Sequence, residues 1–247
     1  MSFEKDDGKA PSMFPERWRI LSGSTLKLIA MVIMIIDHYA YYFVSSSVPV
    51  LFTLPSGRVI TLYWLLRTIG RSAFPIYAML LVEGFLYTHD RRRYGFRLLL
   101  FAMISDIPWD LLHHGVFFSL SSQNVFYTLF LGLVGMEVLE RFRGESKKMS
   151  LILLVLAIAA CYFGADYGIS GICLILVCYL FRELSVLRDV LGIGLLSSHM
   201  RAFPAFVLME LYSGKRGFVH GKVLQVLFYA VYPLHLMLFY LIKTGIL

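Results

Sequence analysis

Between residues 25 and 242 the chain is a succession of apolar runs, each about 14 to 25 residues long, separated by short polar breaks. An α-helix crosses the hydrocarbon core of a bilayer in about 20 residues, so runs of this kind are read as membrane helices. Composition agrees. Hydrophobic residues are 58% of the 247 and charged residues 16%, against roughly 45–50% and about 25% in soluble domains. Too little polar surface is left to cover a water-soluble globule. A soluble enzyme, a secreted disulfide scaffold and a disordered chain are thereby excluded. The expected fold class is all-α, a polytopic transmembrane helix bundle of about eight to ten membrane segments.

The runs fall at 25–44, 63–87, 94–112, 125–139, 149–163, 168–181 and 223–242. The second is interrupted by Gly70 and Pro75. The stretch 184–212 holds two short apolar runs divided by Ser197, Ser198, His199, Arg201 and Pro204. It reads either as one broken span or as two short ones. Residues 1–24 form a polar tail, and 25–247 a single transmembrane domain. The tail has no cleavage site, so the first run reads as a retained anchor.

Loop charges set the orientation. The net charge is +7, and Lys and Arg gather in alternate loops. Lys5, Lys9, Arg17 and Arg19 lie in the tail, Arg91, Arg92 and Arg93 after the second run, and Arg141, Arg143, Lys147 and Lys148 after the fourth. The loops 112–123 and 164–167 carry no Lys or Arg. The tail and the basic loops therefore face the cytoplasm of an inner-membrane protein, and no nucleic-acid partner is expected. Cys161, Cys173 and Cys178 all lie in apolar runs, an odd set with no disulfide or metal-ligand pattern.

Ionisable groups inside the membrane cost about 2.5–3.5 kcal/mol each on insertion scales and mark functional sites by default. Asp37, His38, Arg67, Arg71, Glu83, Arg97, Asp106, Asp110, Glu137 and His235 all fall within apolar runs. Asp106 and Asp110 share a helical face, as do Arg67 and Arg71 and also Asn124 and Thr128. With the tail inside, most of these groups lie towards the outer face, with Asp166 in the turn at 164–167, so a polar cavity opening outward is expected. Lys27 and His38 are 11 positions apart on one face, about 16 Å along the axis. An ammonium at the inner mouth in line with an imidazole near the outer mouth suits a long donor with an anionic head. Pro75 lacks an amide and disturbs the carbonyl of Arg71, which predicts a kink there. Gly132 and Gly135 allow close approach by another helix or a ligand.

Seven segments in order extend this pattern: KLIAMVIMIIDH at 27–38, RTIGRSAFPIYAMLLVEGF at 67–85, RLLLFAMISDIPWD at 97–110, NVFYTLFLG at 124–132, DYGISG at 166–171, YSGKRG at 212–217 and FYAVYPLHL at 228–236. Together they resemble the TraX family, the conjugative-transfer membrane proteins that include the F-pilin N-acetylase. Family members often read SEIPFD where this chain has SDIPWD, and YNGKRG where it has Ser213. The resemblance implies acyl transfer with acetyl-CoA as cytoplasmic co-substrate and no metal. The Lys-x10-His spacing is also similar to the (Arg/Lys)-x10-His pattern of acyltransferase-3-type transmembrane enzymes.

Acyl transfer from a thioester needs a base for the acceptor's proton and donors for the developing oxyanion. His38 is the expected base or transient acyl carrier. Asp37, Asp106 and Asp110 are the carboxylates that orient it, the third-span pair being better placed than Asp37. Arg71 balances those charges or holds the oxyanion. Lys27, Arg67, Arg97, Lys215 and Arg216 are the expected donor-binding cations. Glu83, Asn124, Thr128, Asp166 and His235 are candidates for the acceptor site. The acceptor itself is open: a peptide or pilin N-terminus, an envelope glycan or a small molecule. Each group also has a structural reading, as an ion pair, a core histidine or a packing notch. A transporter or channel with a charged intramembrane path is the alternative function.

Overall fold

The computed structural model describes residues 12–47, 49–162, 164–196 and 202–247. Lys5, Lys9, Ser197, Ser198, His199 and Arg201 lie outside them. The protein is all-α, with one small hairpin among the described residues. A short 3-10 turn at Glu16–Trp18 precedes α1, Gly23–Phe43. Ser22 caps α1 by accepting the amide of Thr25, which satisfies one of the orphan donors at a helix start. The break after α1 is an antiparallel hairpin, β1 Val50–Thr53 and β2 Val59–Thr61. Thr61 then caps α2, Leu62–Gly70, through the amide of Trp64.

The second apolar run is two helices rather than one, because α2 stops at Gly70 and α3 spans Ala73–Tyr87. Pro75 sits in the first turn of α3, where a missing amide costs nothing, and its ring crowds the carbonyl of Arg71, which disfavours helical continuation there. The interruption therefore falls at Arg71–Ser72, four and three residues before the proline, as the position of Pro75 predicts. Helix α4, Arg91–His114, is capped by Asp90 and ends at Gly115 in the left-handed region. It is followed by α5 Val125–Arg141, α6 Ser146–Tyr162, α7 Gly168–Leu180, α8 Ser185–Leu195, α9 Phe203–Glu210 and α10 Lys222–Lys243.

Among the described residues, three helical stretches are long and apolar enough to cross a membrane: Gly23–Phe43, the interrupted pair Leu62–Tyr87, and Lys222–Lys243. The stretch 184–212 resolves into the short helices α8 and α9, of 11 and 8 residues. At 1.5 Å per residue they are only about 16 and 12 Å long, so neither crosses by itself.

The described chain divides into two compact units, residues up to Tyr77 with Glu183–His220, and Ala78–Arg182 with Gly221–Leu247. In the first, α1 packs on α2 and α8 on α9. In the second, α4 packs on α5 and α10, and α5 on α6 and α7. The α5–α7 contact is close because Gly132 has no side chain: a Cβ there would lie 2.3 Å from Ile175 Cδ1. Gly132 thus serves a helix contact rather than a ligand.

Candidate functional site

The candidate residues divide between the two units. The first holds Lys27, Asp37, His38, Arg67, Arg71, Lys215 and Arg216; the second holds Glu83, Arg97, Asp106, Asp110, Asn124, Thr128, Asp166 and His235.

In the first unit, the segment Tyr212–Gly217 lies across the start of α1. Leu21 bridges to Tyr212, and the Ser213 amide donates to the Leu21 carbonyl at 2.8 Å. The amides of Gly23 and Ser24 donate to the carbonyls of Lys215 and Arg216 at 2.8 and 2.9 Å. The Ser24 hydroxyl donates to the Arg216 carbonyl at 2.7 Å and accepts the Val219 amide at 2.8 Å. With the loop backbone spent on the helix, the Lys215 and Arg216 side chains are left exposed. Lys27 is one turn further along α1. Gly217 makes the approach possible. Its φ is +84°, and a Cβ would lie 2.2 Å from Ser22 Oγ. The backbone at two of the expected donor-binding cations, Lys215 and Arg216, is thus bonded to the start of α1, and the third, Lys27, lies in the next turn of that helix.

Further along α1, Asp37 forms an ion pair with Arg67 of α2. The Arg67 guanidinium also donates to the Asp37 carbonyl at 3.4 Å and lies over the Tyr41 ring at 5.1 Å. Arg67, expected among the donor-binding cations or as a balance for the carboxylates, pairs with Asp37. Arg71, one turn on, is close enough to Asp37 for an attractive electrostatic interaction. Asp37 fits because Gly70 faces it, where a Cβ would lie 2.0 Å from Asp37 Oδ1. That Oδ1 and the Ser72 hydroxyl are buried with no hydrogen-bond partner among the described residues. Buried polar atoms are nearly always satisfied, which makes this Asp37 oxygen, beside two arginines, a candidate position for a further donor. His38 is half-buried, with its ring 6.5 Å from that of Tyr42.

The carboxylates expected to orient His38 are engaged inside the second unit. Asp106 accepts from Asn124 Nδ2 and from the Tyr127 hydroxyl, each at 2.7 Å. Asp110 accepts the Ser119 amide at 2.7 Å. Asn124 also caps α5 and donates to the Ala102 carbonyl at 2.9 Å. Thr128 donates to the Asp166 carbonyl, and the Asp166 carboxylate accepts the Tyr167 amide at 3.1 Å. Glu83 pairs with Arg182 at 2.8 Å. Arg97 lies among Tyr94 and Tyr229 and hydrogen-bonds the latter. His235 is buried, with Nδ1 2.9 Å from the Val231 carbonyl. Asn124 and Thr128 have no exposed surface, so their contacts hold α4, α5 and the turn before α7 together. Tyr127 is a partner that sequence reading passes over, although it lies three residues after Asn124 on the face that carries it.

Another group missed from the sequence lies on α8 and α9. Arg188 pairs with Asp189 at 2.7 Å and with Glu210. The other Glu210 oxygen accepts the Ser12 hydroxyl at 2.7 Å and the Met13 amide. The tail from Ser12 onward is therefore fastened to α9, immediately before the Tyr212–Gly217 loop.

Long apolar helices with ion pairs buried among them define a helical membrane protein. The family model described as TraX protein matches residues 22–243, and the chain belongs to the TraX family. It is 29% identical over 245 residues to the probable fimbrial assembly protein FimC, serogroup H1, of Dichelobacter nodosus, covering 88% of this chain and 93% of that protein. No solved structure matches it.

Proposed function

We propose that this protein is a multi-pass acyltransferase of the inner membrane, N-terminus in the cytoplasm, moving acetyl from cytoplasmic acetyl-CoA to an amine or hydroxyl at the outer face. One observation carries the reading. The Tyr212–Gly217 loop brings Lys215 and Arg216 to the start of the helix on which Lys27 and His38 share a face. The three cations grip the donor's phosphates, and the pantetheine arm runs the remaining distance, about 16 Å along α1.

At the far end His38 takes the acceptor's proton as its nitrogen or oxygen attacks the thioester carbonyl. Arg71 holds the oxyanion of the tetrahedral intermediate. Collapse expels the CoA thiolate, which receives the proton from His38. The Asp37–Arg67 pair fixes the electrostatics beside the histidine. Membership of the TraX family supports acetyl transfer, and the name of the Dichelobacter relative favours a pilin-like peptide amine among the possible acceptors.

The break at Arg71–Ser72 favours one rival reading, since interrupted helices carrying charge also line transport paths. Donor binding separates the two. Acetyl-CoA or CoA should raise the melting temperature of the purified protein, less so after Lys215→Ala/Arg216→Ala, and His38→Ala should keep that shift while losing transfer. A transporter of another solute ignores both ligands, and retained transfer by His38→Ala removes the histidine from the mechanism.

A further inference from the structure

At the C-terminal end of α4, in the second unit, a serine and a histidine meet in a geometry that the reading above does not use. Ser122 Oγ is 3.0 Å from His114 Nε2 and 3.3 Å from Trp109 Nε1. An indole nitrogen only donates, so Ser122 Oγ accepts from Trp109 and has its own hydrogen free for His114. When Ser122 gives that hydrogen to His114, Nε2 is the acceptor and the imidazole proton sits on Nδ1. That tautomer is the one a general base needs. Asp110, one turn earlier on α4, interacts attractively with His114.

The loop bearing the serine is held by the Ser119 amide, which donates to Asp110 at 2.7 Å, and by Gln123. Gln123 pairs with Ala165, its amide donating to the Gly164 carbonyl at 3.0 Å, while the Asp166 amide donates back to Gln123 at 3.0 Å. Gly164 packs so closely that a Cβ there would lie 2.8 Å from the Ser121 carbonyl oxygen. Ser122 is half-buried and His114 is exposed, so a small reagent can reach the pair from water. A nucleophile within hydrogen-bond reach of a base, on a rigid loop and open to solvent, is the arrangement of an activated serine.

We propose that Ser122, with His114 as its base, is a second reactive centre that takes acyl groups from carboxylic esters. As Ser122 Oγ bonds to the ester carbonyl, its proton passes to His114 Nε2. Collapse of the tetrahedral intermediate breaks the bond to the leaving alkoxide, which carries that proton away. Water or an amine then attacks the acyl-serine, giving its proton to His114, and the Ser122 oxygen recovers it on release. The centre stands on its own geometry and does not depend on His38.

The test uses the full-length protein in detergent and a fluorophosphonate probe, which phosphonylates activated serines with loss of fluoride. The adduct should map to Ser122 by peptide mass and vanish in Ser122→Ala. Ser121→Ala should label normally although its hydroxyl lies 3.2 Å from the same nitrogen. His114→Gln keeps a hydrogen-bonding side chain but cannot take the proton, so labelling should slow about a hundredfold or more at an unchanged melting temperature. An unlabelled wild type, an adduct on another residue, or a rate indifferent to His114→Gln overturns the proposal.

Discussion

Two charged clusters in the first unit obey opposite rules. The Arg188, Asp189 and Glu210 side chains keep 5%, 7% and 1% of their surface, and both Glu210 oxygens are hydrogen-bonded. The Asp37 and Arg67 side chains keep 14% and 11%, and one Asp37 oxygen has no hydrogen-bond partner. In both, desolvation opposes the ion pair. The first cluster offsets it by saturating its acceptors and draws the tail, α8 and α9 together. The second leaves an acceptor open beside Arg71. Buried charge is common to both; what separates the saturated cluster from the proposed site is the completeness of its hydrogen bonding.

The largest expected effect tests the scaffold half of that contrast. Glu210→Ala leaves Arg188 buried without its better partner and should cost about 3–5 kcal/mol, read by denaturant unfolding in detergent. A cost no larger than that of an exposed substitution would break the contrast. Gly70→Ala presses a methyl group into Asp37 and should cost about 1–3 kcal/mol. Acetyl transfer should fall far more than stability does, because the displaced group is beside the reacting centre. Gly217→Ala demands a left-handed backbone from a residue with a Cβ, at about 1–2 kcal/mol. By lifting Lys215 and Arg216 off α1 it should raise KM for acetyl-CoA while kcat changes little. Arg93→Ala removes an exposed pair with Asp90 and should stay within about 0.5 kcal/mol with normal transfer. A large loss there would show that the basic loop does more than set topology.

Much of this was legible in the sequence where the signal is local. Helix positions followed from the apolar runs, and the break at Arg71–Ser72 from Gly70 and Pro75 on either side of it. Asp37 stood out because a carboxylate in an apolar run needs a partner, and Arg67 supplies it. Contacts distant in the chain were not legible. The bond between Ser24 and Arg216 joins residues 192 apart, and nothing in either segment announces it; only their shared basic character hinted that Lys27, Lys215 and Arg216 belong together. Arg188 and Asp189 were overlooked because adjacent opposite charges usually mark a solvated surface. Their burial depends on Glu210 and on the tail folding back. Asp106 and Asp110 illustrate the reverse limit. Their i,i+4 spacing put them on one face, but their partners, Asn124, Tyr127 and the Ser119 amide, come from the following loop and helix.

The most direct test supplies [14C]acetyl-CoA to the cytoplasmic side of membranes containing the protein and follows label into envelope material, with no acceptor assumed beforehand. The account predicts incorporation that is lost in His38→Ala and weakened in Lys27→Ala and in Lys215→Ala/Arg216→Ala, the weakening reversed by excess donor. Equal incorporation in wild type and His38→Ala, or none in either while the protein remains folded, contradicts it.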